Sequence, residues 1–215
     1  MNDRTGLDRF FNSLQGEGSM VEIAAVYGSP RRQGNTATLL KHAVAGARDA
    51  GANVTEIVLR DLKMSPCMEI YGCKADGRCV IDDDFRNVEA LLMRIDGLML
   101  ASPIFFYAVS AHTKILMDRC NSRWVNKYWI EKQPFGQQDY PRKGLFISVG
   151  STKGKKLFDG ALMSVRYFLD ALDMELWQSL IYGQIESEGQ ILQHPSFLKE
   201  AYESGAALAA VLAGR

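Results

Sequence analysis

Apolar and polar positions along this chain fall into stretches of two kinds, short continuous apolar runs and longer helix-spaced segments. Val21 to Tyr27 (VEIAAVY) is a nearly unbroken apolar run, the pattern of a strand buried on both faces. From Thr36 to Ala50, Leu39, Leu40, Ala43, Val44 and Ala47 recur at helical spacing. Val54 to Leu59 reads as a second strand, and its polar Thr55 and Glu56 place it at a sheet edge. Asp84 to Arg94 follows as a helix and Leu98 to Ala101 as a short buried strand. Ser110 to Asn121 is helical through Ile115, Leu116 and Cys120. Leu145 to Val149 is a buried strand, Leu157 to Leu172 a helix, Met174 to Tyr182 the last strand, and Pro195 to Ala213 the closing helix.

Five strands alternating with five helices form a βα repeat, which demands right-handed crossovers and a parallel sheet. With Val54–Leu59 and Met174–Tyr182 as edges, the strand order is 2-1-3-4-5. The expected fold class is therefore α/β, a doubly wound five-stranded parallel sheet with helices on both faces. A ligand then belongs at the carboxyl ends of the first and third strands, where the winding reverses. Residues 21–215 read as one domain, residues 1–20 as an N-terminal arm and residues 122–141 as an insertion.

Composition narrows the partners. The 25 basic and 25 acidic residues cancel, which gives no electrostatic reason to expect nucleic acid or an anionic membrane. Residues 1–20 lack the apolar core of a signal peptide, and the longest apolar stretch, Gly97 to Val109, is broken by Ser102 and Pro103. The cytoplasm is the default expectation.

The loop Gly28-Ser-Pro-Arg-Arg-Gln-Gly-Asn-Thr36 joins the first strand to its helix. It puts backbone N–H groups at the positive end of a helix dipole, beside the donors of Ser29, Asn35 and Thr36 and the guanidinium of Arg31. Gly28 and Gly34 permit close approach. A phosphate dianion suits this set. The plainer alternative is an ordinary turn in which Asn35 or Thr36 caps the helix. Neither a dinucleotide fingerprint nor a P-loop is present; Gly150-Ser-Thr-Lys-Gly-Lys155 mimics the latter but is one residue short, and Lys156 replaces its Ser/Thr.

This loop resembles the FMN-phosphate loop of the NAD(P)H-dependent FMN reductase and iron–sulfur flavoprotein family. Ala101-Ser-Pro-Ile-Phe-Phe-Tyr-Ala-Val-Ser-Ala111, followed by Lys114 and Asp118-Arg119, resembles the second flavin loop of that family and the helix after it. The resemblance covers roughly residues 21 to 182. It implies a flavodoxin-like fold and FMN, with NAD(P)H as co-substrate and a homodimer or homotetramer as the assembly. By position, Ser29, Arg31, Gly34, Asn35 and Thr36 would hold the phosphate, and Pro103, Ile104, Phe105 and Phe106 would line the ring system. Gly150 and Ser151, after the fourth strand, are a third contact. The flavin supplies the chemistry, so no acid–base pair is named.

Cys67, Cys73 and Cys79 cluster after the second strand. Iron–sulfur members of this family carry a C-x2-C-x2-C-x5-C run there, and Ile70 occupies the second position in this chain. Isoleucine has no donor atom, so a four-cysteine iron–sulfur cluster cannot form from this segment alone. Three readings stay open: a cluster completed by Glu69, Asp76 or water, a zinc site, or a retained loop whose cysteines pack or form a redox pair. The last is preferred. Cys120 reads as a packed thiol, and His42, His112 and His194 show no ligand spacing.

Arg119 to Lys132 interleaves Arg123, Lys127 and Lys132 with Trp124, Tyr128 and Trp129. At zero net charge a cap over the flavin pocket, or a dimer interface, is the better reading than nucleic-acid binding. The expected function is an FMN-dependent NAD(P)H oxidoreductase that passes electrons to a small acceptor such as a quinone, flavin or nitro compound. The alternative is an electron-carrier flavoprotein of the iron–sulfur type, and a phosphate-binding domain without flavin is a third class.

Overall fold

The computed structural model describes residues 20–135 and 140–214. The expected arm at 1–20 lies outside this range except for Met20, as do residues 136–139 of the expected insertion.

Five parallel strands, β1 (Glu22–Tyr27), β2 (Asn53–Val58), β3 (Gly97–Ala101), β4 (Arg142–Val149) and β5 (Met174–Tyr182), form one sheet in the order β2-β1-β3-β4-β5. The doubly wound order read from the sequence is the one observed. Every residue of β3 is buried, as its unbroken apolar run dictates, while edge strand β2 exposes Asn53, Thr55 and Glu56. β4 begins three residues before the expected Leu145. Arg142 and Lys143 extend it because their heads find partners at the rim, Arg142 on the Leu172 carbonyl at 2.7 Å and Lys143 on the Glu175 carboxylate.

Helix α1 (Asn35–Asp49) packs one face of the sheet beside α7 (Pro195–Ala213), enclosing Leu39, Leu40, Ala43, Met99 and Leu208. The other face carries α3 (Phe85–Leu92), α4 (Ala111–Arg119) and α6 (Asp159–Ala171), which bury Phe85, Leu92, Leu116, Phe146 and Val165. The one-turn α2 (Cys73–Asp76) lies in the cysteine segment. Short α5 (Asn121–Val125) and a π-turn (Asn126–Ile130) continue beyond α4. Among the described residues, no helix is long and apolar enough to cross a membrane.

Candidate functional site

The switch point between β1 and β3 is laced shut from below. Gly28 donates its N–H to the Ala101 carbonyl at 2.8 Å, and Ser110 Oγ donates to the Gly28 carbonyl. A Cβ at position 28 would stand 2.0 Å from Thr113 Oγ1, so only glycine lets the first loop approach the start of α4 this closely. Ser102 Oγ accepts from the Ser110 N–H at 2.9 Å, and Ser148 Oγ donates to the Ser102 carbonyl at 2.7 Å. All three serines are fully buried, which fixes the loops after β1 and β3 and the last residues of β4 against one another.

Above this base sits the phosphate-loop candidate. Gly34 caps α1 in an extended conformation and has no side chain with which to satisfy the first-turn amides. The N–H groups of Asn35, Thr36 and Ala37 have no acceptor within the helix, and no acidic residue stands in that first turn. The result is a concentrated set of donors at the positive end of a helix. Ser29 is buried, and its Oγ accepts from the Arg31 N–H at 3.1 Å. Arg31 is exposed and makes no ion pair among the described residues, whereas neighbouring Arg32 is held by Asp61 at 2.6 Å. Arg60 is likewise engaged, on the Pro30 carbonyl.

Asn35 differs from expectation. Its side-chain amide donates to the Ser187 carbonyl at 2.9 Å, and its carbonyl accepts from the Ile191 N–H at 3.2 Å. It is a brace between α1 and the segment after β5, and what it offers a ligand is its main-chain N–H.

A cleft of about 190 Å³ gathers Ser29, Arg31, Gly34, Asn35, Thr36, Pro103, Ile104, Phe105, Gly150 and Ser151. It adds four residues not anticipated, Pro30, Val149, Ile185 and Glu186. The last two follow β5; in a parallel sheet every strand ends on the same edge, and that is the signal that would have found them. Larger cavities of about 580 and 830 Å³ lie along α4, α5 and α6, away from the strand ends and from the uncapped helix.

Phe106 is the expected ring-lining residue that the cleft does not include. Phe105 and Ala108 exchange both N–H···O bonds, at 2.9 and 3.0 Å, so the chain reverses tightly and Phe106 stands at the apex, fully exposed. Phe106 and Tyr107 have φ of 50° and 62°, a left-handed turn built without glycine or asparagine. Such residues cost on the order of 1–3 kcal/mol each and cluster at ligand sites. Residues 119–132 do not reach the cleft either; Trp124 packs against Tyr128 and Trp129, both at 5.5 Å, beside α6. The anticipated cap over the cleft is therefore absent from the described residues, because Lys127 is drawn inward. Its ammonium is buried between Asp173 at 2.9 Å and Tyr140 Oη at 2.7 Å.

The cysteine segment is closed by a residue that the sequence placed only on the helix after the second flavin loop. Arg119, fully buried, donates to the Ser65 carbonyl at 3.0 Å, to Asp83 Oδ2 at 2.6 Å and to the Ile81 carbonyl at 3.2 Å. Ser65 precedes the cysteines and Ile81 and Asp83 follow them, so one guanidinium staples both ends of the loop. Burial alone would raise the Asp83 pKa; hydrogen bonds from Arg119 and from the Ser65 and Phe85 amides outweigh it and hold the carboxyl at about 2. Within the loop, Glu69 and Tyr71 adopt φ of 50° and 59° on either side of an exposed Ile70. Among the described residues no three Cys, His, Asp or Glu side chains are gathered closely enough to hold a metal ion. With Ile70 in the second position, this donor set does not fit a four-thiolate cluster. Cys120 is buried, and burial pushes its thiol pKa up, as expected of a packed cysteine.

A doubly wound sheet whose switch point presents an uncapped helix start opposite an apolar loop defines a flavodoxin-like protein. Residues 21–181 match the model of the NADPH-dependent FMN reductases, and the chain belongs to that family. It is 36% identical over 99 residues to an iron–sulfur flavoprotein of Methanocaldococcus jannaschii, a match that covers 46% of this chain and 51% of that protein. The chain thus spans about half the length of the iron–sulfur relatives at the head of the comparison, 51%, 45% and 52% of three of them. A Bacillus subtilis protein named for NAD(P)H-dependent, FMN-containing oxidoreduction is 23% identical over 182 residues, covering 84% of this chain and 94% of the relative. The solved NAD(P)H:quinone oxidoreductase from Methanothermobacter marburgensis superposes with a TM-score of 0.64 at 14% identity, over 88% of this chain and 96% of that one. At that identity the likeness speaks for the fold alone.

Proposed function

We propose that the chain binds FMN in the cleft at the switch point and oxidises NAD(P)H, delivering the electrons to a small acceptor of the quinone, flavin or nitro class. One observation carries this reading: the uncapped start of α1 faces the Pro103–Phe105 wall across a single cleft. Main-chain amides of Asn35 and Thr36, the Ser29 hydroxyl and the Arg31 guanidinium would hold the phosphate, with Gly34, whose N–H is turned to the Arg31 carbonyl, giving the close approach. The cleft is small against the roughly 300–1,000 Å³ of ordinary ligand pockets. It therefore suits the phosphate and the polyol chain, with the ring system at the open rim between Phe105 and Gly150.

Bound FMN supplies a two-electron carrier between the nicotinamide and the acceptor. The residues bind and orient it, and the buried serines beneath hold the loops after β1 and β3 in register with the end of β4. Stirring apoprotein with FMN and following NADPH oxidation with a soluble quinone tests the reading. No uptake of FMN, or no turnover with any acceptor class, sinks it.

The electron-carrier alternative depends on the cysteine loop, and Ile70 stands against it. Protein reconstituted anaerobically with iron and sulfide is expected to hold no four-iron cluster, and Ile70→Cys to be the change that restores one. A cluster in the unaltered chain, seen in its visible spectrum and iron content, would favour the carrier. We place the subunit contact of a homodimer or homotetramer at the aromatic face of Trp124, Trp129 and Phe135, where Trp129 and Phe135 are exposed. Light scattering on the Trp129→Glu variant tests that placement.

A further inference from the structure

The three clustered thiols do not stand alike. Gly72 lies directly against Val80, because a Cβ added at Gly72 would meet Val80 Cγ1 at 2.3 Å and Val80 Cβ at 3.3 Å. Gly72 is the residue before Cys73 and Val80 the residue after Cys79, so the segment closes on itself and its two ends touch. Gly77 makes the reversal. It caps α2 in left-handed backbone, with φ of 74°, and donates its N–H to the Cys73 carbonyl at 2.8 Å. A Cβ there would meet Asn126 Oδ1 at 2.4 Å, so the π-turn pins the reversal from outside. Cys73 and Cys79 thus close one loop, and both are half-buried. Burial pushes the Cys73 thiol up, and the sulfurs of Cys79 and, less strongly, Cys67 add to it.

Arg119 reaches the same pair. Burial works against its charge, but Asp83 and then the Cys79 sulfur beside it favour that charge and hold its pKa above the ordinary value. Two of its guanidinium nitrogens are engaged by Ser65, Asp83 and Ile81. Its Nε is buried and has no partner of hydrogen-bond geometry among the described residues. Such an N–H needs an acceptor, and Cys79 is the thiol at hand. Cys67 is turned elsewhere. The left-handed residues Glu69 and Tyr71 separate it from Cys73, and it lines the cavity of about 580 Å³ with Trp124 and the fully buried Cys120.

We propose that Cys73 and Cys79 are a dithiol–disulfide pair that exchanges with low-molecular-weight disulfides, Cys79 attacking first and Cys73 resolving. The Cys79 sulfur bonds to one sulfur of the reagent, the S–S bond of the reagent breaks, and its other half leaves as a thiolate. Cys73 then gives its proton to solvent and attacks the Cys79 sulfur, expelling the second half. The protein gives up two electrons and two protons, and one external disulfide becomes two thiols. The order follows from the surroundings. A buried, unpartnered N–H lies beside Cys79, whereas Cys73 holds its proton more tightly than a free thiol. The exchange calls on no flavin and stands apart from the flavin reading.

The test equilibrates the reduced full-length protein, without oxygen, in glutathione buffers of rising oxidised fraction. Acid quenching, alkylation and tryptic digestion follow. Cleavage after Lys63, Lys74, Arg78 and Arg86 puts Cys67 and Cys73 on one peptide and Cys79 on another. The expected product joins the two peptides through Cys73 and Cys79, located by fragment ions. That link is expected to be at least about tenfold more abundant than any link to Cys67 or Cys120. Cys73→Ser is expected to trap glutathione on Cys79, and Cys67→Ser to leave the link unchanged. Thiols that stay free in fully oxidised glutathione overturn the inference, as does a link to Cys67 or Cys120 that matches the Cys73–Cys79 link. Glutathione absent from Cys79 in folded Cys73→Ser protein overturns it too. The map of the unaltered protein decides the pair without any variant.

Discussion

Arg119 shows how much one side chain can hold. Its guanidinium, itself buried, lies against the Phe85 ring at 4.6 Å and bonds to the partly buried Ser65, Ile81 and Asp83. Removing the partner of a buried charge costs about 3–5 kcal/mol, because the remaining ion is left uncompensated. Asp83→Ala is therefore expected to lower the unfolding free energy in urea by about 3 kcal/mol and to speed alkylation of Cys73 and Cys79. A loss below about 1 kcal/mol would show that the staple is not under load. The folded pKa of Asp83, about 2, lies below the value of about 3.9 for an unfolded aspartate. Its contribution is therefore complete above about pH 4 and is lost as pH falls towards 2, which acid titration of unfolding free energy checks. None of this was legible in the sequence. Arg119 and Asp83 are 36 positions apart, and Arg119 read as part of the helix after the second flavin loop and as the start of the basic–aromatic stretch. Ser29, Gly34 and Thr36 were legible because a strand, a glycine turn and a helix follow one another directly. The Asn35 brace was not, since its partners lie more than 150 residues away.

Among the elements, the contact between α1 and α7 is the tightest. A Cβ on Gly205 would lie 1.9 Å from the Ala43 carbonyl oxygen, and one on Gly46 would lie 1.9 Å from the Tyr202 carbonyl oxygen. The two helices touch backbone to backbone, so the obstacle cannot rotate away. Gly205→Ala would gain about 1 kcal/mol of helix propensity. Overpacking costs about 1–3 kcal/mol, and the helices must separate to admit the methyl. The expected net result is destabilisation by up to about 2 kcal/mol, read as a lower urea midpoint with an unchanged slope. A variant more stable than its parent would mean that the helices pack more loosely than described. Strand and helix positions were legible from periodicity, with most ends within two residues. The tight turn at Phe106 was not, because left-handed turns usually announce themselves with glycine or asparagine.

For the whole molecule, a ligand bound only by the folded state shifts the unfolding equilibrium. At FMN one hundred times above its dissociation constant the stabilisation is about 2.7 kcal/mol. For a chain of this size that raises the melting temperature by roughly 5–10 °C. Riboflavin, which lacks the phosphate, is expected to give less than half of that rise, and Arg31→Ala to narrow the gap between the two. Equal shifts from FMN and riboflavin would remove the phosphate loop from the binding site. Topology was legible at this scale because buried strands alternating with amphipathic helices admit few arrangements. The closure of the cysteine loop was not, since it depends on which distant groups share a dry space.

The Asn35 brace has one more consequence, in the order of assembly. The start of α1 is made long before the groups that steady it, since Ser187 and Ile191 lie 152 and 156 positions after Asn35. A ribosome that has finished β1 and α1 has produced the anion site in name only. The brace is completed only when the segment after β5 emerges and folds back. If the cleft holds FMN as proposed, a nascent chain stalled before residue 187 is expected to remain colourless in the presence of FMN, and one extended well past residue 191 to take it up.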